Sequence, residues 1–355
     1  MDAAVIDAAA AERIRAFEAA RTKGGGFRWP VVLALALGGL MVGAGVLLFV
    51  SAHWDEMSPG GRMALIVALV LVFHIAGAVF RNRFESMSVA MHALGTIALG
   101  GGIALTGQVF HLDTEWPWGA LLWSAGAAAG WALLRHWPQA ALAAILVPNW
   151  LIAQYESMAR AQTHTRASTA IAAGCAMLAF TYLSARIGEQ RDPIRRALVW
   201  IGALALIPSV IIASIKEIYW FTLEGIALGV AAALSLALAF ALRREAAVYN
   251  LGAVIWTVGL AMMHAFDETI LRYIWLAIGS MGLAFWGIRE RRIERINLGV
   301  VGFAITVLSF YFANVMDRIG RSASLVVLGI LFLAGGYGLE RVRRRLVAQI
   351  KEEPR

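Results

Sequence analysis

Apolar runs of 17 to 24 residues recur along the chain, separated by short polar or basic stretches. A helix needs about 20 mostly apolar residues to cross a bilayer core, so each run has the length of one crossing. Twelve such spans are predicted. The first six lie near Pro30–Val50, Arg62–Phe80, Met87–Phe110, Pro117–Leu134, Gln139–Tyr155 and Ala167–Ile187. The second six lie near Ile194–Ile215, Trp220–Leu242, Ala246–Ala265, Ile270–Ile288, Ile293–Phe312 and Ser322–Leu339. Barrel strands would alternate polar and apolar at every second residue, and these runs do not. The fifth run is the shortest and is interrupted by Pro148-Asn149.

The charges between the runs fix an orientation. Read with the amino terminus inside, the inner segments hold 24 of the 31 lysines and arginines and the outer loops hold 7. Basic residues favour the cytoplasmic side, so both termini are expected there. The chain divides into a cytoplasmic amphipathic helix and linker over 1–29, a transmembrane domain over 30–339 and a basic tail over 340–355. In the first part Asp7 is placed to cap a helix through Phe17, with Ile6, Ala10, Ile14 and Phe17 on one face. In the tail, Arg341, Arg343, Arg344 and Arg345 follow the last span; they are read as an orientation signal or, more sharply, as a contact for anionic lipid.

Composition narrows the class. Hydrophobic residues make up 60% of the chain and charged ones 15%, whereas soluble domains carry about half and a quarter. That excludes a soluble enzyme, a disordered chain and a nucleic-acid-binding domain, despite a formal charge of +8. The result is an all-α, polytopic integral membrane protein. Its single cysteine, Cys175, permits no internal disulfide.

Several stretches together resemble the bacterial predicted membrane protein family called domain of unknown function 2157. They are Ala8-Ala9-Ala10-Ala11-Glu12-Arg13-Ile14-Arg15-Ala16-Phe17, the run from Gly38-Gly39-Leu40 to His53-Trp54-Asp55, Thr106-Gly107-Gln108-Val109-Phe110-His111-Leu112, and Ser322–Arg345. The resemblance is best over residues 1–135. It implies an integral membrane protein of unassigned activity and supplies no mechanism; the topology itself leads us to expect the bacterial inner membrane.

Polar groups near the span ends are the candidate chemistry. Three outer loops share one texture: His53, Asp55 and Glu56; His111, Asp113 and Glu115; His264, Asp267 and Glu268. Imidazole with carboxylate is a ligand set for zinc or another divalent ion, provided that the loops converge. The competing explanation is topological, since outer loops are poor in basic residues and histidine and tryptophan favour the interface. Glu224, about four residues into the eighth span, is either a protonatable group on a substrate path or an interfacial carboxylate that reaches water. His74 and His92 stand at similar depth on adjacent spans and form either a proton relay or neutral, hydrogen-bonded pairs. Gln108 follows a glycine-rich run, Gly95, Gly100-Gly101-Gly102 and Gly107, which is either a broken helix of the kind that binds substrates or a close-packing face. Close packing is also expected at Gly126 and Gly130 and at Gly225 and Gly229.

Phosphate-cradling loops, His-Glu-x-x-His, Gly-x-Ser-x-Gly and Cys-x-x-Cys motifs are absent from the sequence, so no cofactor is expected. The functions that remain are a transporter or flippase-like permease first, a structural or regulatory scaffold second, and a membrane-embedded enzyme built on the outer loops third.

Overall fold

In a computed structural model of the protein, the described residues are 56–109, 116–161, 168–186, 192–214, 223–263 and 269–314, with Asp7, Glu12, Arg13 and Met41. The described residues hold no strand; Glu12, Arg13 and Met41 are helical, and the six continuous stretches form ten α-helices. These are α1 (Pro59–Phe80), α2 (Glu85–Val109), α3 (Trp116–Leu134), α4 (Trp137–Ala161), α5 (Ser168–Leu183), α6 (Pro193–Ala213), α7 (Leu223–Arg243), α8 (Val248–Met262), α9 (Thr269–Arg289) and α10 (Ile293–Asn314). Each predicted span from the second to the eleventh is one of these helices. The first and twelfth spans, and the basic tail, lie outside the described residues.

Among the described residues, six helical segments are long and apolar enough to cross a membrane: Pro59–Phe80, Glu85–Gly107, Pro193–Ala213, Leu223–Met262, Ile270–Arg289 and Ile293–Asn314. Leu223–Met262 has 40 residues, about 60 Å of helix and twice the bilayer core. It divides at a 3₁₀ turn, Arg244–Ala247, and doubles back, because Leu228 of α7 and Leu260 of α8 meet in one core cluster. The weak fifth run is a continuous helix of 25 residues through Pro148. Pro208 is likewise carried inside α6.

The helix ends obey local chemistry. Ser58 Oγ accepts from Gly61 N at 3.2 Å, and Pro59 opens α1 where a missing N–H costs nothing. Asp192 caps α6 by accepting from Ile194 N at 2.9 Å. Among the described non-glycine residues, three take positive φ: Arg135 at 56°, Arg244 at 51° and Arg291 at 53°. Each reverses the chain between consecutive helices. The left-handed region costs a side-chain-bearing residue about 1 kcal/mol or more, so these turns keep arginine where glycine would be cheaper.

The chain divides into two compact units, Met1–Leu65 and Ile66–Arg355. In the first, the described residues include the opening turns of α1. In the second, side-chain placement is inverted relative to a soluble protein. On α1, Val67, Leu71, Ile75 and Val79 are 50% to 71% exposed at helical spacing. On α2, Ser88, His92 and Thr96, also four residues apart, are buried. The interior is built from alanine, as at Ala127, Ala173, Ala176, Ala213 and Ala239, with polar side chains between. An apolar exterior around a small-residue, hydrogen-bonded interior suits lipid as the solvent.

Rings seated on glycines set the helix spacing. Trp256 of α8 lies over Gly279 of α9, and Trp275 of α9 lies over Gly259 of α8. Their indole N–H groups donate reciprocally, Trp256 Nε1 to Trp275 O at 2.8 Å and Trp275 Nε1 to Trp256 O at 2.9 Å. The glycine triplet serves the same end: α2 runs unbroken through it, with Trp123 against Gly100 and Ile66 against Gly102. Leu99 and Gln139 fill the places beside Gly126 and Gly130, whereas Gly229 has open space beside it. Close packing therefore holds for the first pair and does not hold at Gly229.

Candidate functional site

Two polar clusters stand out, both in the second unit. The first gathers where α5 meets α6, α7 meets α8 and α9 meets α10. Glu290, just past α9, accepts from Trp286 Nε1 at 2.9 Å, one helical turn earlier. Its other oxygen accepts from Arg295 Nη1 of α10 at 2.8 Å. Arg243, the last residue of α7, donates to Glu290 and to Asn250 of α8. Asn250 Nδ2 continues the chain to Ser184 Oγ at 2.9 Å, and Ser184 Oγ donates to Thr181 O at 3.1 Å on α5. Arg195 of α6 donates from Nε to Ala185 O at 3.1 Å and faces Glu294 at 3.9 Å.

The arginines are buried: Arg195 and Arg243 are 4% exposed and Arg295 is 1% exposed. Two of them reach the Trp286 ring, Arg295 at 4.5 Å and Arg243 at 5.1 Å from its centroid. Tyr249 stacks against the same ring at 5.7 Å. Cation–π contact of this kind adds about 1–2 kcal/mol when desolvated. For Glu290, burial would push the carboxyl up; Arg295, the hydrogen bonds from Trp286 and Arg295, and Arg243 outweigh it and hold the carboxyl below its ordinary 4.5. Guanidinium does not deprotonate in proteins, and this carboxylate stays ionised. The cluster is a fixed electrostatic element rather than a proton relay.

The second cluster joins α1, α2 and the turn before α4. His74 and His92 have ring centroids 5.4 Å apart, and His92 and His136 are 5.6 Å apart. The first pair interlocks with glycines, His74 against Gly95 of α2 and His92 against Gly77 of α1. Gln139 Nε2 donates to His92 O at 2.9 Å, and Gln139 Oε1 accepts from Thr96 Oγ1 at 2.9 Å. The Nδ1 atoms of His74, His92 and His136 are buried without a hydrogen-bond partner.

Glu224 opens α7 and is 1% exposed, so it does not reach open water. It lies within electrostatic reach of Tyr155 on α4. Glu224 and Arg243 stand 19 residues apart on α7, about 28 Å of rise and close to the bilayer core. Gln108 is in α2, and its side chain is outside the described residues. Of the nine outer-loop ligand candidates, Glu56 is exposed; His53, Asp55, His111, Asp113, Glu115, His264, Asp267 and Glu268 lie outside the described residues. Among the described residues, no three His, Cys, Asp or Glu side chains converge on a metal position.

Sequence reasoning missed the arginine–glutamate cluster, because Arg195, Arg243 and Arg295 read as orientation markers. One signal was present: Trp286 and Glu290 stand four apart at the end of an apolar run, and a carboxylate amid so many arginines between two apolar runs needs a reason. His136 was missed because it falls between two spans.

The profile of a family described as Predicted membrane protein (DUF2157) matches residues 1–139, in accord with the resemblance seen in the sequence. The matched segment reaches the start of α4. It contains the histidine cluster and ends before the arginine–glutamate cluster. No curated protein and no solved structure matches the chain.

Proposed function

We propose that this membrane protein is a flippase-like permease of the bacterial inner membrane, with twelve spans and both termini cytoplasmic. The observation that carries the reading is Glu224, a carboxylate 1% exposed in a segment apolar enough to cross a membrane. Ionisable groups inside such helices are costly and commonly mark substrate or ion paths. The arginine–glutamate cluster at the far end of α7 extends the same pattern, with Arg195, Arg243 and Arg295 buried there against Glu290 and Glu294. The positive-inside bias puts that end on the cytoplasmic side.

Proteoliposomes carrying tail-labelled phosphatidylglycerol test this directly. Protein-containing vesicles are expected to expose inner-leaflet label to dithionite faster than empty ones, with Glu224→Gln slowing the exchange several-fold. Exchange equal to that of empty vesicles, with no proton flux reported by an entrapped pH dye, contradicts the permease. A scaffold is the second reading, favoured by the reciprocal Trp256 and Trp275 lock. A dense bundle without flux, and loss of a co-purifying partner on deletion of residues 1–25, would support it instead.

A further inference from the structure

Beside the buried cluster, a cavity of about 330 Å³ is lined by Arg195, Arg196, Arg291, Arg292 and Glu294, with Val199, Trp200 and Ala203 along one side. The lining holds four arginines and one glutamate, whose carboxylate lies 3.9 Å from Arg195. Buried Arg292 Nε has no hydrogen-bond partner. Arg291 takes its left-handed conformation at the rim, so the turn keeps a cation there against a backbone cost. Planar forks in this number match the oxygens of a phosphate.

The surroundings identify what carries that phosphate. Trp200 is 66% exposed, and Leu204 and Ile211 further along α6 are 71% and 41% exposed. This apolar stripe leaves the cavity and runs about 16 Å down the helix. A soluble anion has no use for it, and an acyl chain does. We propose that the cavity binds the phosphate headgroup of an anionic membrane lipid, with its acyl chain along the Trp200, Leu204 and Ile211 face of α6.

This site is separate from the Arg341–Arg345 tail and does not require transport. Retained lipid binding in a protein that moves no lipid would contradict the permease and leave this proposal standing.

The test uses the full-length chain in non-ionic detergent, titrated with tail-labelled phosphatidylglycerol and read by fluorescence anisotropy. Arg291→Gln/Arg292→Gln is expected to weaken binding at least tenfold, and Arg196→Gln several-fold. Arg81→Gln/Arg83→Gln, at the exposed α1–α2 turn, is expected to bind as the native chain does. Tail-labelled phosphatidylcholine is expected to bind weakly, and millimolar inorganic phosphate to leave the bound lipid in place. Arg196→Gln, on an exposed side chain, keeps the test open if the double variant does not fold. Unchanged binding in the cavity variants overturns the proposal. So does an equal loss in Arg81→Gln/Arg83→Gln, which would mean a general basic surface. Equal binding of phosphatidylcholine, or displacement by phosphate, assigns the cavity to another ligand and overturns it too.

Discussion

The histidine cluster lies in the segment that matches a known family, and the arginine–glutamate cluster lies beyond it. Both bury several nitrogen-bearing side chains between helices, but they meet the cost of burial in opposite ways. Around Glu290, charge is met by charge: one carboxylate accepts from Arg243, Arg295 and Trp286. Around His92, neighbouring hydrogen bonds satisfy backbone carbonyls and Gln139, while three imidazole Nδ1 atoms have none. A buried polar group without a partner costs about 1–3 kcal/mol. The first cluster is therefore a permanent tie between helices, and the second packs three imidazoles whose Nδ1 atoms meet no protein partner.

The largest effect that breaks the comparison is loss of the carboxylate. Glu290→Ala leaves Arg243 and Arg295 buried without their counter-ion and is expected to destabilise the bundle by about 3–5 kcal/mol, measured by thermal unfolding in detergent. Acid should reach the same tie without mutation. The Glu290 carboxyl is held below its ordinary 4.5 when folded, so its contribution is full above that value and is lost as pH falls through the folded one. Unfolding scans below about pH 4.5 should show a falling midpoint, and Glu290→Gln should flatten that dependence.

In the histidine cluster the expected change is smaller. A Cβ at residue 95 would overlap the His74 ring at Nδ1. Gly95→Ala should therefore cost about 1–3 kcal/mol through overpacking. Adding His74→Ala should return part of that loss, a non-additivity that a double-mutant cycle reads. Smallest of all is the pair Arg160 and Glu156, 3.6 Å apart with side chains 81% and 47% exposed. Glu156→Ala should shift stability by less than about 0.5 kcal/mol.

What the sequence discloses follows the range of the interactions. Helices α1 to α10 are legible because each is one continuous apolar run, and lipid leaves the backbone no other way to close its hydrogen bonds. Pro148 made the fifth run look broken, yet α4 passes through it. His74 and His92 were legible as a pair because a short turn puts equal depths side by side. Arg243, Asn250 and Ser184 were not. Their meeting depends on how three helix pairs pack, and no spacing along the chain encodes that. The indoles of Trp256 and Trp275 show the same limit: each glycine seat is 16 to 23 residues from its ring.

Thiol crosslinking asks most directly whether α5 and α8 meet as the hydrogen-bond chain requires. Ser184→Cys/Asn250→Cys in a Cys175→Ala background places two thiols where Oγ and Nδ2 now lie 2.9 Å apart. A short thiol-specific crosslinker should join them within the folded protein, giving one crosslinked peptide pair by mass spectrometry. Two thiols that stay separately alkylated, in a protein that still elutes as a folded species, would contradict the convergence on which Glu290 and its arginines depend.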